Sequence, residues 1–291
     1  MNAGVRPPLA AGDPLAPGLE VVDHLSRNQA LDVYDVWSHE RQCRCVAKVL
    51  RPDRLDDTNA RARLLREGEL LLAIAHPHLV RAYELRPGRE PVVVLEMLSG
   101  ATLGHLLHAE GPLDDLDVAF LGLQLCSATG YLHAHGALHL DLKPDNIVAE
   151  AGRAKVLDLS LSRPPGRAHA GIGTRPYMAP EQATGGMLTE AADVWGIGAV
   201  LHKAASGTRP FAEHDGDERY PQIERRAPAL RSRRPVARAL AAAVDACLEP
   251  EPGQRPGLPE LVQCLRAVLP AEAVAAWRGR LPGPGGIAAA A

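Results

Sequence analysis

The chain has 291 residues, 46% hydrophobic, 23% charged and 3% aromatic, with 32 Lys and Arg against 35 Asp and Glu for a formal charge of −3. That size fits one large domain or two, able to bury a core without metal or disulfide staples. The near-neutral balance and scarce aromatics exclude a nucleic-acid binder that works through bulk charge or base stacking. Five cysteines without a Cys-x-x-Cys pair argue against a disulfide framework or a zinc ribbon, and no apolar run of about 18 residues is present to span a membrane.

Residues 1–17 are rich in Pro and Ala and hold no apolar run, which reads as a disordered leader and not a signal peptide. Short strand-like runs follow. Leu31–Trp37 alternates, Cys45–Leu50 (CVAKVL) is compact, and Pro91–Glu96 (PVVVLE) reads as a buried strand. Cys43 and Cys45 are spaced as same-face neighbours on one strand. One helix interrupts this part: Asn59–Ala75 carries apolar residues at 64, 65, 71, 72 and 74 and stops before His76-Pro77.

Beyond about residue 100 the chain turns helical. Asp114–His135 has Leu116, Phe120, Leu123, Leu125 and Leu132 on a helical period, and Thr189–Ala205 starts at Thr-Glu and ends before Ser206-Gly207. Val236–Leu248 and Leu258–Val268 complete the set, and 282–291 (PGPGGIAAAA) reads as a frayed tail. A strand-rich part followed by a helical one suggests two lobes, with the break near Leu98–Gly100.

The densest chemistry lies in His139-Leu-Asp-Leu-Lys-Pro-Asp-Asn146. Asp and Asn five residues apart with Lys between them suit phosphoryl transfer. Asp141 can accept a hydroxyl proton, Lys143 can neutralise a moving phosphate, and the Asn146 amide oxygen can ligate Mg²⁺. Each residue also has a plainer reading: Asp141 as a turn cap, Asn146 as a left-handed turn residue, and Lys48 as a snorkelling strand lysine.

HLDLKPDN resembles the catalytic loop HRDLKxxN of eukaryotic-like, bacterial-type serine/threonine protein kinases. Further matches run in family order. CVAKVL is similar to the VAIK strand and places Lys48; Glu67 follows on the helix; Asp158 in VLDLS stands at the place of DFG. GTRPYMAPE (Gly173–Glu181) is similar to the substrate-binding end of the activation segment, DVWGIGAVL (Asp193–Leu201) to the central helix of the large lobe, and Arg255 to the partner of Glu181.

The resemblance implies an α+β, bilobal protein-kinase-like fold, with a small antiparallel-sheet lobe holding one key helix and a larger helical lobe. The leader is then 1–17, the kinase domain 18–269 with lobes 18–98 and 99–269, and the tail 270–291. The implied activity is transfer of the ATP γ-phosphoryl group to protein Ser or Thr hydroxyls, with ATP and Mg²⁺, or Mn²⁺ in its place, as cofactors. Asp141 and Lys143 become catalytic, and Asn146 and Asp158 metal ligands. Lys48, Glu67, Val33, Ala47, Glu96, Leu98, Ser26 and Asn28 become nucleotide-binding. A protein substrate and a separate regulatory or sensor protein are the expected partners, with no nucleic acid and no membrane span. The expected location is cytoplasmic, and the oligomeric state is not readable.

Three departures bear on activity. Ser26, Asn28 and Leu31 stand where GxGxxGxV has glycine, which predicts weaker nucleotide binding or a displaced loop. Leu140 replaces the Arg that pairs with a phosphorylated activation segment, and Arg163–Gly173 holds no Ser, Thr or Tyr. Activity is therefore expected not to depend on phosphorylation there. Asp-Leu-Ser replaces Asp-Phe-Gly at 158–160. The alternative is a pseudokinase scaffold with weak or no nucleotide turnover.

Overall fold

The alternation read at Leu31 belongs to a six-stranded antiparallel sheet. The computed structural model describes residues 6–211 and 220–273, and contacts divide the chain into two units, Met1–Ser99 and Gly100–Ala291. In the first unit the strands are β1 (Pro14–Ala16), β2 (Leu19–Arg27), β3 (Leu31–Ser38), β4 (Cys43–Leu50), β5 (Ala82–Arg86) and β6 (Val92–Glu96), in the spatial order β1-β2-β3-β4-β6-β5. Side chains alternate across such a sheet. One face gathers Leu19, Val21, Tyr34, Val36, Cys45, Ala47, Val92 and Val94 into a buried cluster.

The other face takes helix α1 (Thr58–Ala73), capped by the Asp57 carboxylate, which accepts from the Asn59 and Ala60 amides. A Cβ on Gly68 would stand 2.9 Å from Leu85 and 3.0 Å from Val93, so glycine lets the helix lie close on β5 and β6. The helix ends ahead of the sequence-based limit at Ala75, because Ile74 turns extended and buries.

Residues 1–17 need a correction from Arg6 onward. Within them β1 pairs with β2, the Leu9 amide donates to the Tyr34 hydroxyl at 3.0 Å, and the Arg27 guanidinium donates to the Arg6 carbonyl at 2.9 Å. Leu15 and Ala16 pack against the buried cluster. Pro-rich composition conceals this because the anchoring is by backbone groups and only two apolar side chains, Leu15 and Ala16. Residues 1–5 of the leader, and most of the stretch read as a tail (274–291), lie outside the described residues.

In the second unit, α2 (Leu103–Ala109) precedes α3 (Asp115–Ala134), which packs on α5 (Glu190–Ser206) and α8 (Leu258–Arg266). Helix α7 (Arg238–Cys247) packs on α5 and α8. Both α3 and α5 are buried around most of their circumference, as expected of central helices. Between them run the hairpin β7 (Ile147–Glu150) and β8 (Arg153–Val156), then β9 (Gly166–Ala168), the short helix α4 (Pro180–Thr184) and β10 (Gly186–Leu188), which pairs with β9. The short helix α6 (Pro221–Glu224) follows residue 220. No helix of the described residues is long and apolar enough to cross a membrane. All five cysteines are free, with the Cys43 and Cys45 sulfurs 3.9 Å apart on one face of β4.

Candidate active site

In the first unit, Lys48 on β4 points toward α1, where its Nζ donates to Glu67 Oε1 at 2.6 Å. The Glu67 side chain is fully enclosed and that of Lys48 nearly so. Enclosed partners of opposite charge hold each other in one geometry, because either one alone would be a buried uncompensated charge.

In the second unit the stretch from His139 to Asn146 is a loop held from beneath. Asp193, buried on α5, accepts from the His139 amide through Oδ2 and from the Leu140 amide through Oδ1, each at 2.8 Å. His133 Nε2 lies 2.8 Å from the same Oδ2. His139 reaches inward, with Nδ1 accepting from the Asp141 amide at 3.2 Å and Nε2 3.2 Å from the Leu157 carbonyl.

Leu140 has φ +65, a left-handed conformation that costs a branched residue roughly 1–2 kcal/mol. It persists because its amide is held by Asp193, its carbonyl accepts from Gln182 at 2.8 Å, and its side chain is buried. Gly173 (φ +117) packs on this contact, where a Cβ would lie 2.8 Å from the Leu140 carbonyl oxygen.

This scaffold presents Asp141, only 8% exposed. Its Oδ2 is 3.0 Å from Lys143 Nζ and accepts from Asn146 Nδ2 at 3.2 Å. Its Oδ1 is buried without a hydrogen-bond partner among the described residues. An ionised carboxylate oxygen left so is an acceptor waiting for a donor. Lys143 Nζ also donates to Thr174 Oγ1 at 2.8 Å, and Asn146 Nδ2 to the Asp141 carbonyl at 3.0 Å.

The β7–β8 hairpin turns through Ala151 and Gly152, both at positive φ, and returns the chain so that the Leu157 amide donates to the Asn146 carbonyl at 2.8 Å. Asp158 follows at φ +62, with Leu159 buried beside it. Two carbonyl-bearing side chains separated in sequence, Asn146 and Asp158, are thereby brought to one end of a hairpin.

Residues 22–265 match the family model described as protein kinase domain. The chain belongs to the protein kinase family. Among curated relatives it is 33% identical over 234 residues to the serine/threonine-protein kinase PkaA of Streptomyces coelicolor, covering 76% of this chain and 42% of that protein. It is 34% identical over 178 residues to the serine/threonine-protein kinase PknB of Mycobacterium leprae, covering 57% and 29% respectively. The chain thus spans less than half the length of these relatives. The antiparallel sheet with its one helix and the helical second unit are the two lobes of the kinase fold.

Ala47 and Lys48, both expected at the nucleotide, lie on opposite faces of the sheet. Ala47 stands opposite Tyr34 and Val94 and is buried in the cluster on the sheet face away from Lys48. Side chains on a strand alternate. Val46, and not Ala47, therefore shares the face that carries Lys48. Val33, opposite Lys48, stays on the same face, and the chain continues from β6 through Glu96 and Leu98. The Glu96 side chain is turned to the Arg81 amide, which donates to its Oε1 at 2.9 Å.

The turn between β2 and β3 is closed on itself. Asn28 Oδ1 accepts from the Ala30 amide at 2.9 Å and the Leu31 amide at 2.7 Å, while the Asn28 amide donates to the Leu31 carbonyl at 2.9 Å. Arg51 grips the turn from outside through the Asn28 carbonyl at 3.0 Å. The neck is fastened by Arg27, whose Nε and Nη2 donate to the buried Asp32 carboxylate at 2.6 and 2.9 Å. Burial alone would raise the Asp32 carboxyl, but hydrogen bonds from Arg27 and His24 hold it below the ordinary carboxylate range. Ser26 is exposed on β2, opposite Val33.

Arg255, whose side chain is fully buried, pairs with Glu181 in a fork at 2.6 and 2.9 Å and donates to the carbonyls of Ala191, Glu249 and Pro250. Gln182 and Gln222 carry no sequence signal for the site, because their partners are backbone groups.

Proposed function

We propose that this chain is a serine/threonine protein kinase that transfers the ATP γ-phosphoryl group to a protein hydroxyl. The observation that carries the reading is the unpartnered, buried Oδ1 of Asp141 beside a Lys143 ammonium. Asp141 orients the substrate hydroxyl and takes its proton as that oxygen bonds to phosphorus and the bond to the β-phosphate oxygen breaks. Lys143 offsets charge on the phosphoryl group, and Thr174 keeps Lys143 in place. Lys48, set by Glu67, holds the α- and β-phosphates. Val33, Val46 and the backbone at Glu96 and Leu98 hold the adenine.

The donor set fits Mg²⁺: Asn146 spends its Nδ2 on Asp141, which leaves its amide oxygen for a hard cation, and Asn146 and Asp158 would hold the ion. When bound, Mg²⁺ neutralises phosphate charge. Lys143 two residues after Asp141, together with the relatives' names, supports the serine/threonine branch. Five free cysteines support a reducing compartment such as the cytoplasm.

The test is transfer of labelled phosphate from ATP with Mg²⁺ to a generic basic protein substrate, beside an Asp141→Asn control. Transfer by the wild type alone supports the kinase; none from either overturns it.

The closed β2–β3 turn favours a second reading, a pseudokinase scaffold. A phosphate cradle uses free backbone amides, and Asn28 occupies two of them with its own side chain. Asn28→Gly should free both and lower the ATP Kd by about three- to tenfold. Titration calorimetry reads the change, and an unaltered Kd would show that these amides do not limit binding.

Independence from activation-segment phosphorylation belongs to the kinase reading. The buried Leu140 packs in one cluster with Leu138, Tyr177 and Trp195, with Ile172 against it. Phosphatase treatment should leave the rate within about twofold of the untreated protein, since no Arg–phosphate bond is lost. A tenfold fall, with a phosphopeptide from 163–173 region flanks in the untreated sample, would contradict it.

A further inference from the structure

The substrate-binding loop 172–179 contains no charge-paired phosphate site, yet it is tied down at four backbone points. Two buried carboxamides do this. Gln182 on α4 is 2% exposed; its Nε2 donates to the Leu140 and Ile172 carbonyls, each at 2.8 Å, and its Oε1 accepts from the Ala179 amide at 3.0 Å. Gln222 on α6 is equally buried, and its Nε2 donates to the Arg175 carbonyl at 3.1 Å and the Met178 carbonyl at 3.2 Å.

We infer that Gln182 and Gln222 are positioning residues that hold the peptide-binding loop in its working shape, in place of a phosphorylated activation segment. The inference rests on the kinase reading and deepens it toward regulation.

The chemistry is specific to an amide. Each Nε2 sits against two carbonyl oxygens, where only a donor is tolerated. A carboxylate there would face two acceptors, and an aliphatic side chain would leave two buried carbonyls short of a partner. The geometry also divides the labour. Gln182 is the link between the loop and Leu140, the strained residue next to Asp141, and Gly173 lacks a Cβ where that link passes. Gln222 Nε2 donates to two carbonyls of the loop and not to Leu140. Its Oε1 is buried without a partner among the described residues, so the amide is retained for its two donor bonds.

Gln182→Met and Gln222→Met keep the length of the side chain and remove the donors. Two measurements apply: steady-state kinetics against a peptide and ATP, and hydrogen exchange of the backbone. Gln222→Met should raise the peptide KM about tenfold with kcat and ATP KM within about twofold. Gln182→Met should in addition lower kcat about tenfold, because it also releases Leu140. In both, amides of 172–179 should exchange about tenfold faster while those of α3 keep wild-type protection.

Unchanged peptide KM and unchanged loop exchange in a folded variant overturn the inference. So does faster exchange spread equally through α3, which marks a general loss of stability. Should Gln182→Met fail to fold, Gln222→Met decides alone. Should the wild type transfer no phosphate, the kinase reading falls, and loop exchange still decides whether the two amides hold the loop.

Discussion

Asp141→Asn is expected to lower phosphotransfer by about a hundred- to ten-thousandfold, the usual worth of a positioned general base. The substitution is nearly isosteric. One oxygen remains to accept from Lys143 Nζ and Asn146 Nδ2, which now meet Asp141 Oδ2 at 3.0 and 3.2 Å. The NH₂ group then takes the place of Oδ1, the buried oxygen without a partner, and presents a donor where a proton must be accepted. Fold and nucleotide binding should persist, so the rate of phosphate transfer falls while the Kd for a fluorescent ATP analogue is kept. A variant as fast as the wild type would remove Asp141 from the chemistry.

Arg255→Met should cost about 3–5 kcal/mol of stability, the range for breaking a buried ion pair from one side. The guanidinium makes two bonds to Glu181 and three to backbone carbonyls, and it lies 5.0 Å from the Trp195 ring centroid. Methionine fills much of the volume and supplies none of the donors. Glu181 is left as a nearly buried carboxylate, and the carbonyls of Ala191, Glu249 and Pro250 lose partners. Urea unfolding followed by circular dichroism measures the loss. A change below about 1 kcal/mol would place the pair among the weak surface bridges. Arg255→Lys should recover little, because an ammonium cannot reproduce the planar fork.

The elements that were legible are those whose burial repeats with their own period. Helices α1, α3, α5, α7 and α8 and strands β3, β4 and β6 bury long apolar rows, and their limits differ from the sequence-based ones by at most two residues. Strand β2 escaped because only Leu19 and Val21 among its nine residues are buried, which leaves no alternation to read. Strand β1 and the anchored leader escaped because Pro and Ala contribute few side-chain contacts. The hairpin β7–β8 and the strand pair β9–β10 are made by backbone pairing over three or four residues, too short for a periodic pattern.

The loop from His139 to Asn146 was legible for a different reason. Asp141, Lys143 and Asn146 lie within six residues of chain, so their spacing alone brings them together, and a loop fixed at both ends keeps them so. Ala47, buried on the face away from Lys48, shows the limit of that reasoning. Neighbours on a strand face opposite ways, and which one faces Lys48's partner depends on the pairing of β4 with β3 and β6.

Ordered motifs and local spacing by themselves pointed to the family, to the long helices and buried strands, and to Asp141, Lys143 and Asn146 as neighbours, because these are properties of residues near one another in the chain. Tertiary structure alone decided which sheet face each residue occupies, that the Asn28 turn uses its own amides, and that Gln182 and Gln222 bond to the backbone of 172–179. Those outcomes turn on backbone amides and carbonyls, which every residue but proline carries alike, so side-chain identity leaves no trace of where they will meet.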